Sequence, residues 1–553
     1  MNQTTLSIGG GGSDRISALP DEIIHQILRL LPSLKEAAKA AVLSKRWGLL
    51  WRSYPVLQFD NRTASDSSKS LLDEFAAAAS TKFNSQPDLK VEAVRIHMVW
   101  KMAEDASIYR FVVAMLKLVA NREPEEVDIQ SVGYPPIPAR LINHRRLKIL
   151  NLRCFQLFWQ PADTTTMINL RVLCLADFSF YDDGRLLNAV IASAPLLETL
   201  TLSGPWIGGD EKIRVLQICN HPNLKTLKLS GVPVKDSIQI SGAPSLQTLT
   251  LKNSVSGALD ISLPLPNLES LEIEAGLDAS GLTEDVLNDL IAGSPSLQSL
   301  KLDFFGNAGG NLLNVVNPNL QWLWLRDRAK GLDAPGRVIR FDAPKLVDFD
   351  YGGSMDSLPA ISYAQSPVAA QLCEVLLAMG SKVSITIEKF RDLNFFFAKL
   401  IPHFPCIRLW FFLIYSTEGS FDWDQVEDDL PAVPIYDIAF RRGFSNYDEV
   451  DAALMEGLLW SCHPKYLCID EDPNNKSMHC PSLEYLCKFF TEITFDRCRQ
   501  TACKCWRHEL KDVKIVSKKD DDGGDDDELA DISIDSPSSL GNQKRVTFRL
   551  NWC

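Results

Sequence analysis

Basic charge is scarce along this 553-residue chain: 57 Lys and Arg stand against 70 Asp and Glu, a formal net charge of −13. Neutralising phosphates needs clustered cations, so neither nucleic acid nor an anionic membrane surface suits it as a main partner. Long hydrophobic runs are missing too. The most apolar segment, 395–415, is interrupted by Lys399, Pro402, His403, Pro405 and Arg408, which marks a buried core and not a membrane span. Met1 to Ser13 is polar and carries Gly9 to Gly12 where a secretory signal would be apolar. The 13 cysteines are therefore expected as thiols in a reducing compartment, nucleus or cytoplasm. Catalytic signatures are absent as well, with no His-Glu-x-x-His helix, Gly-x-Ser-x-Gly elbow or Gly-x-x-x-x-Gly-Lys loop. Cys498, Cys503, Cys505 and His508 lie close together, but Cys503-Lys504-Cys505 is too tight for a zinc knuckle. No catalytic residue, metal or cofactor is expected.

What is present is a repeat. Apolar residues at the first, fourth and sixth places of a frame recur from Leu147, Leu170, Leu197, Leu224, Leu246, Leu268, Leu297, Leu320 and Leu346. The starts lie 22 to 29 residues apart, the spacing of leucine-rich repeats. Seven of the nine have a proline two residues upstream, from Pro195 to Pro344. The alternation closing each frame predicts a short strand with its leucines turned into a shared core, which one unit cannot bury without neighbours. Some connecting segments, 186–191 and 286–291, have helical spacing, while Ile238-Gln239-Ile240 and Leu259-Asp260-Ile261 are short apolar pairs. Val91 to Ile96 fits an earlier, irregular repeat. The expected array is a horseshoe over 90–353.

The N-terminal region predicts three short amphipathic helices. Pro20 suits a first helical turn, Asp21 and Glu22 favour the positive end of the helix dipole, and Ile24, Ile27, Leu28 and Leu31 form an apolar stripe. Ser33 with Glu36 reads as a capping box for a second helix through Leu43, and Ser44 caps a third that carries Trp47, Leu50 and Trp51. Helices this short cannot bury all that surface among themselves. Burying one Leu or Ile contributes roughly 1.5–3 kcal/mol, so a helical partner is the natural outlet.

The run Leu19 to Pro32, with Leu43-Ser44-Lys45-Arg46-Trp47, resembles an F-box of the plant type. Followed by repeats, it resembles the plant F-box/leucine-rich-repeat proteins, many of which end in an FBD-like segment. Gly457 to Pro464 and Lys504 to Ile515 look like the C-terminal signatures of that family. The resemblance implies an α/β chain: a disordered leader over 1–12, a three-helix F-box over 13–60, a helical linker over 61–89, a leucine-rich-repeat solenoid over 90–353 and an α+β FBD-like region over 354–553. It implies the substrate-recognition subunit of an SCF-type cullin–RING ubiquitin ligase, docked on the S-phase-kinase-associated adaptor and through it on a cullin. Leu19, Pro20, Ile23, Ile27, Leu28, Leu31, Val42, Leu43, Trp47 and Trp51 would include both adaptor-facing and core positions. A binding module outside any ligase, and a hormone-sensing receptor, are the other readings.

The polar places between inward leucines should line one face of the sheet and offer a surface to an unidentified target protein. Lys228, Thr250, Glu272, Lys301, Trp322, Trp324 and Arg326 are the candidates there. The paired tryptophans beside an arginine have the composition of an interface hot spot, though a C-terminal region folding back would bury them equally well. In the tail, Asp520 to Glu528 reads as a solvated acidic run inside a disordered loop over 518–544. The flanking pieces, Asp512 to Ser517 and Arg545 to Trp552, are expected to pair as antiparallel strands.

Overall fold

The computed structural model describes residues 19–30, 39, 44–60, 77, 79–80, 89–97, 106–130, 139–157, 167–180, 183–204, 213–254, 257–274, 282–305, 312–328 and 337–365. It also describes 367–368, 370–379, 386–413, 431–442, 452–470, 486, 489–490, 506–518, 529–532 and 545–553. They form two compact units, Met1–Leu246 and Gln247–Cys553.

The first unit opens with two helices, Asp21–Leu30 and Lys45–Ser53. Ser44 caps the latter as its spacing predicts, its hydroxyl accepting from the Trp47 N–H at 3.2 Å. The predicted middle helix lies outside the described residues apart from Lys39, as do the leader and most of 61–89. A parallel ladder follows: Val56–Asp60, Ala93–His97, Glu126–Gln130, Ile149–Arg153, Val172–Ala176, Thr199–Ser203 and Thr226–Ser230. Leu150, Leu173, Leu200 and Leu227 stand in register across it and are fully buried. The 186–191 segment is a helix, Arg185–Ala192. Ile238 and Ile240 lie on a strand, Val234–Ser241, paired with Ile213–Cys219.

The recurrent prolines have a local cause. Leu197, Leu224 and Leu246 donate their N–H to the carbonyls of Ala194, His221 and Ala243, each three residues back, and in the second unit Leu268, Leu297 and Leu346 do the same. Each bond closes a four-residue turn whose second place is the proline, where a φ near −65° is already required. The turn delivers the first leucine of the frame into the core.

The second unit carries its own parallel ladder: Thr248–Lys252, Ser270–Glu274, Ser299–Phe305, Trp322–Arg328, Asp348–Ser354, Leu372–Met379, Cys406–Leu413, Val433–Arg442 and Cys462–Asp470. Parallel pairing therefore continues past residue 353, where the leucine frame stops. In the added strands the inward places are filled by Cys373, Val375, Ile407, Leu409, Phe411 and Ile438, all buried. Arg545–Trp552 then joins Cys462–Asp470 and Leu510–Lys518 in antiparallel fashion, the latter pairing as expected. The expected loop over 518–544 contains a strand, Leu529–Ile532, set against Leu510–Lys518.

Two helices, Ile387–Leu400 and Ala452–Ser461, pack together in this unit. A Cβ on Gly457 would meet the Phe390 ring at 2.0 Å, so only glycine permits this approach. Asn394 ties the pair by donating to the Ser461 carbonyl at 2.8 Å and to that of Pro431 at 3.1 Å. No described helix is long and apolar enough to cross a membrane.

Candidate functional site

The helical pair sorts the N-terminal candidates. Ile24, Leu28, Trp47, Leu50 and Trp51 are buried. Leu28, Trp47 and Trp51 therefore belong to the interior of the pair, and the indoles are not an outer docking surface. The reason is helical phase: with Ile24 and Leu28 inward, Ile23 and Leu30 turn away. Ile23 is 39% exposed and Leu30 is 85% exposed. Leu49, between Trp47 and Trp51, is 63% exposed. Pro20 is exposed, while Leu19 and Ile27 are half-buried. Arg46 fastens the two helices, donating to the Leu19 carbonyl at 2.7 Å and pairing with Asp21. Leu31, Val42 and Leu43 lie outside the described residues. Leu30 and Leu49 were not among the expected contact residues, although helical phase alone sets each outside the apolar stripe of its own helix.

The second face is on the ladder of the second unit. Because Leu300, Leu302, Leu323 and Leu325 point inward, the alternate places project outward. One row runs Thr250, Glu272, Lys301, Trp324, Asp350, Glu374, Arg408, Asp437. Glu272 accepts from Lys301 at 2.8 Å and Lys252 at 3.0 Å. Burial pushes its carboxyl up, but the two lysines together hold it below the usual carboxylate range. Lys301 and Arg326 lie over the Trp324 ring, 4.7 and 5.3 Å from its centroid. Trp322, directly opposite Asp348, is 46% exposed.

Beyond the tryptophans the charge turns negative. Burial, reinforced by Glu374 and Asp348, pushes the Asp350 carboxyl up to about 6. Arg408 stands 3.7 Å from both Glu374 and Asp437. Five of the seven expected face residues thus meet here: Glu272, Lys301, Trp322, Trp324 and Arg326. Lys228 lies in the first unit, on Thr226–Ser230. Thr250 is buried and not exposed as expected: its short side chain sits low beside the Lys252–Glu272 ion pair. Asp348 and Asp350 occupy the third and fifth places of the ninth frame, so the repeat spacing could have found them. Glu374, Arg408 and Asp437 lie on strands without that frame.

In the tail, the two signature-like segments meet. Glu456, on the Ala452–Ser461 helix, accepts from the Trp506 indole N–H at 2.8 Å and pairs with Arg507. Burial raises the Glu456 carboxyl despite both donors. Trp506 is almost wholly enclosed, which makes this a packing element. No group of ligating side chains able to hold a metal occurs among the described residues.

Stacked parallel strands with inward leucines, spaced by turns at a 22–29-residue period, define a leucine-rich-repeat protein. A family model described as "FBD-associated F-box protein At5g56370, LRR repeats" matches residues 112–261. The F-box/LRR-repeat protein At3g26922 of Arabidopsis thaliana is 29% identical over 275 residues, 46% of this chain and 87% of the relative. Another Arabidopsis relative, whose name carries the terms F-box, FBD and LRR-repeat, is 24% identical over 384 residues, 64% of this chain and 84% of its own. The F-box/FBD/LRR-repeat protein At5g53840 of the same plant is 26% identical over 246 residues, 44% of this chain and about half (51%) of the relative. The chain is thus similar to plant F-box/leucine-rich-repeat proteins, some of whose names also carry the term FBD.

Proposed function

We propose that this chain is the substrate-recognition subunit of an SCF-type cullin–RING ubiquitin ligase. The N-terminal helices would dock the S-phase-kinase-associated adaptor, and through it a cullin, while the repeat ladder holds a target protein. The bond-making chemistry would then belong to a ubiquitin-charged enzyme elsewhere in the assembly. This chain would supply proximity, raising the effective concentration of target lysines. The relatives' names carry the term F-box. The observation that carries the reading is the exposure of Ile23, Leu30 and Leu49 on helices whose opposite sides are already packed.

Pull-down by recombinant adaptor tests it. The parent chain should be captured, and Ile23→Asp with Leu49→Asp should lose capture without a change in melting temperature. Trp47→Ala is unsuitable for this purpose, because Trp47 is buried and its loss would weaken the helical pair itself. Failure of the folded parent to bind adaptor would sink the ligase reading and leave a repeat protein acting outside it.

A further inference from the structure

The outward face of the second unit's ladder carries an imbalance that no described residue corrects. Trp324 is already covered, since Lys301 and Arg326 lie over its ring. Trp322, two residues earlier on the same strand and face, is 46% exposed, and no described cation lies over it. Across the next strand, Asp348 stands opposite Trp322 and Asp350 opposite Trp324. Glu374 stands opposite Asp350. Among the described residues no basic group pairs with Asp348 or Asp350, and Glu374 has Arg408 alone, at 3.7 Å, a cation it shares with Asp437. An exposed indole and three carboxylates are thus gathered on one sheet face, beside an indole that shows what such a ring binds here.

We propose that Trp322, Asp348, Asp350 and Glu374 form a docking surface for a basic segment of a partner protein, with one arginine or lysine on the Trp322 indole and another against the carboxylates. The biological setting rests on the substrate-recognition reading, which this deepens by naming the chemistry of the target. Charge complementarity selects the occupant. An acidic or phosphorylated segment would meet three carboxylates without compensation, and a purely apolar one would bury them unpaired. A cation instead gains from the ring's quadrupole and supplies the missing counter-charge. Three adjacent strands span about 10 Å, the length of about three extended residues. Two basic side chains a few positions apart can therefore reach both parts of the surface. The net charge of −13 would favour the approach of such a segment.

The probe is a short fluorescein-labelled peptide alternating arginine and serine, followed by anisotropy with the full chain, beside a glutamate–serine control. The acidic run Asp520 to Glu528 would attract the same peptide by charge alone, so the reference chain has those carboxylates replaced by serine. That reference should bind the basic peptide and ignore the acidic one. Trp322→Ala, and separately Asp350→Asn with Glu374→Gln, should each weaken binding about tenfold, while Asp350→Glu retains it. A melting temperature no lower than that of the reference chain, with unchanged adaptor capture, would show that the variants remain folded. No binding by the reference chain, or equal binding by the face variants, overturns the proposal. Peptide binding at this face without adaptor capture would uphold it and sink only the ligase reading. Adaptor capture without peptide binding would do the reverse.

Discussion

Arg337 is held between two carboxylates in the second unit, pairing with Glu284 and standing 3.3 Å from Asp327. None of the three side chains is more than 11% exposed. Replacing Arg337 by methionine preserves most of the volume but leaves both carboxylates without their shared cation. Breaking a buried pair in this way costs about 3–5 kcal/mol, most of it the desolvation of the charge left behind. For a unit of this size each kcal/mol moves the midpoint about 2 °C, so the variant should melt roughly 6–10 °C lower. Circular dichroism would follow the transition, and limited proteolysis would assign it to this unit. If uncompensated charge is the cause, adding Glu284→Gln and Asp327→Asn to Arg337→Met should recover more than half of the loss. A shift below about 2 °C, or a neutral triple variant no better than the single one, would refute the reasoning.

Leu227→Ala should cost about 2–5 kcal/mol by urea denaturation, because its side chain is fully enclosed, whereas Pro222→Ala, which only frees a turn, should cost less than about 1 kcal/mol. Gly457→Ala should destabilise by about 1–3 kcal/mol, since the new methyl meets the Phe390 ring, and Phe390→Leu added to it should return part of the urea midpoint. Asp350 titrates at about 6 in the folded chain, above the value of about 3.9 for an unfolded aspartate. Its contribution to stability is therefore complete below the unfolded value and is lost as pH rises through about 6. Asp350→Asn should accordingly raise the melting temperature at pH 7.5 and leave it unchanged at pH 4.

Much of the repeat architecture was legible before any coordinates. The first, fourth and sixth places of each frame are local statements, since alternation along a strand decides which side chains face the core. The proline two residues upstream is equally local, because its ring presets the backbone of the turn that the Leu197 and Leu224 N–H groups close. The helix over 185–192 and the cap at Ser44 followed from spacing and side-chain chemistry in the same way.

What required the tertiary structure was everything set by strand partners distant in the chain. Cys373, Ile407, Phe411 and Ile438 extend the ladder without a leucine frame, because burial is satisfied by any apolar side chain that fits between its neighbours. The N-terminal stripe predicted an apolar surface, but only packing showed that Trp47 and Trp51 are enclosed while Ile23, Leu30 and Leu49 are left outside. Register then placed Trp322 beside Asp348, and Asp350 beside Glu374. The sequence by itself determined the period, the turns and the inward leucines, since each depends on a few adjacent residues. Only the folded ladder decided which charges and rings share a face, because hydrogen bonding between strands, and not nearness in sequence, makes them neighbours.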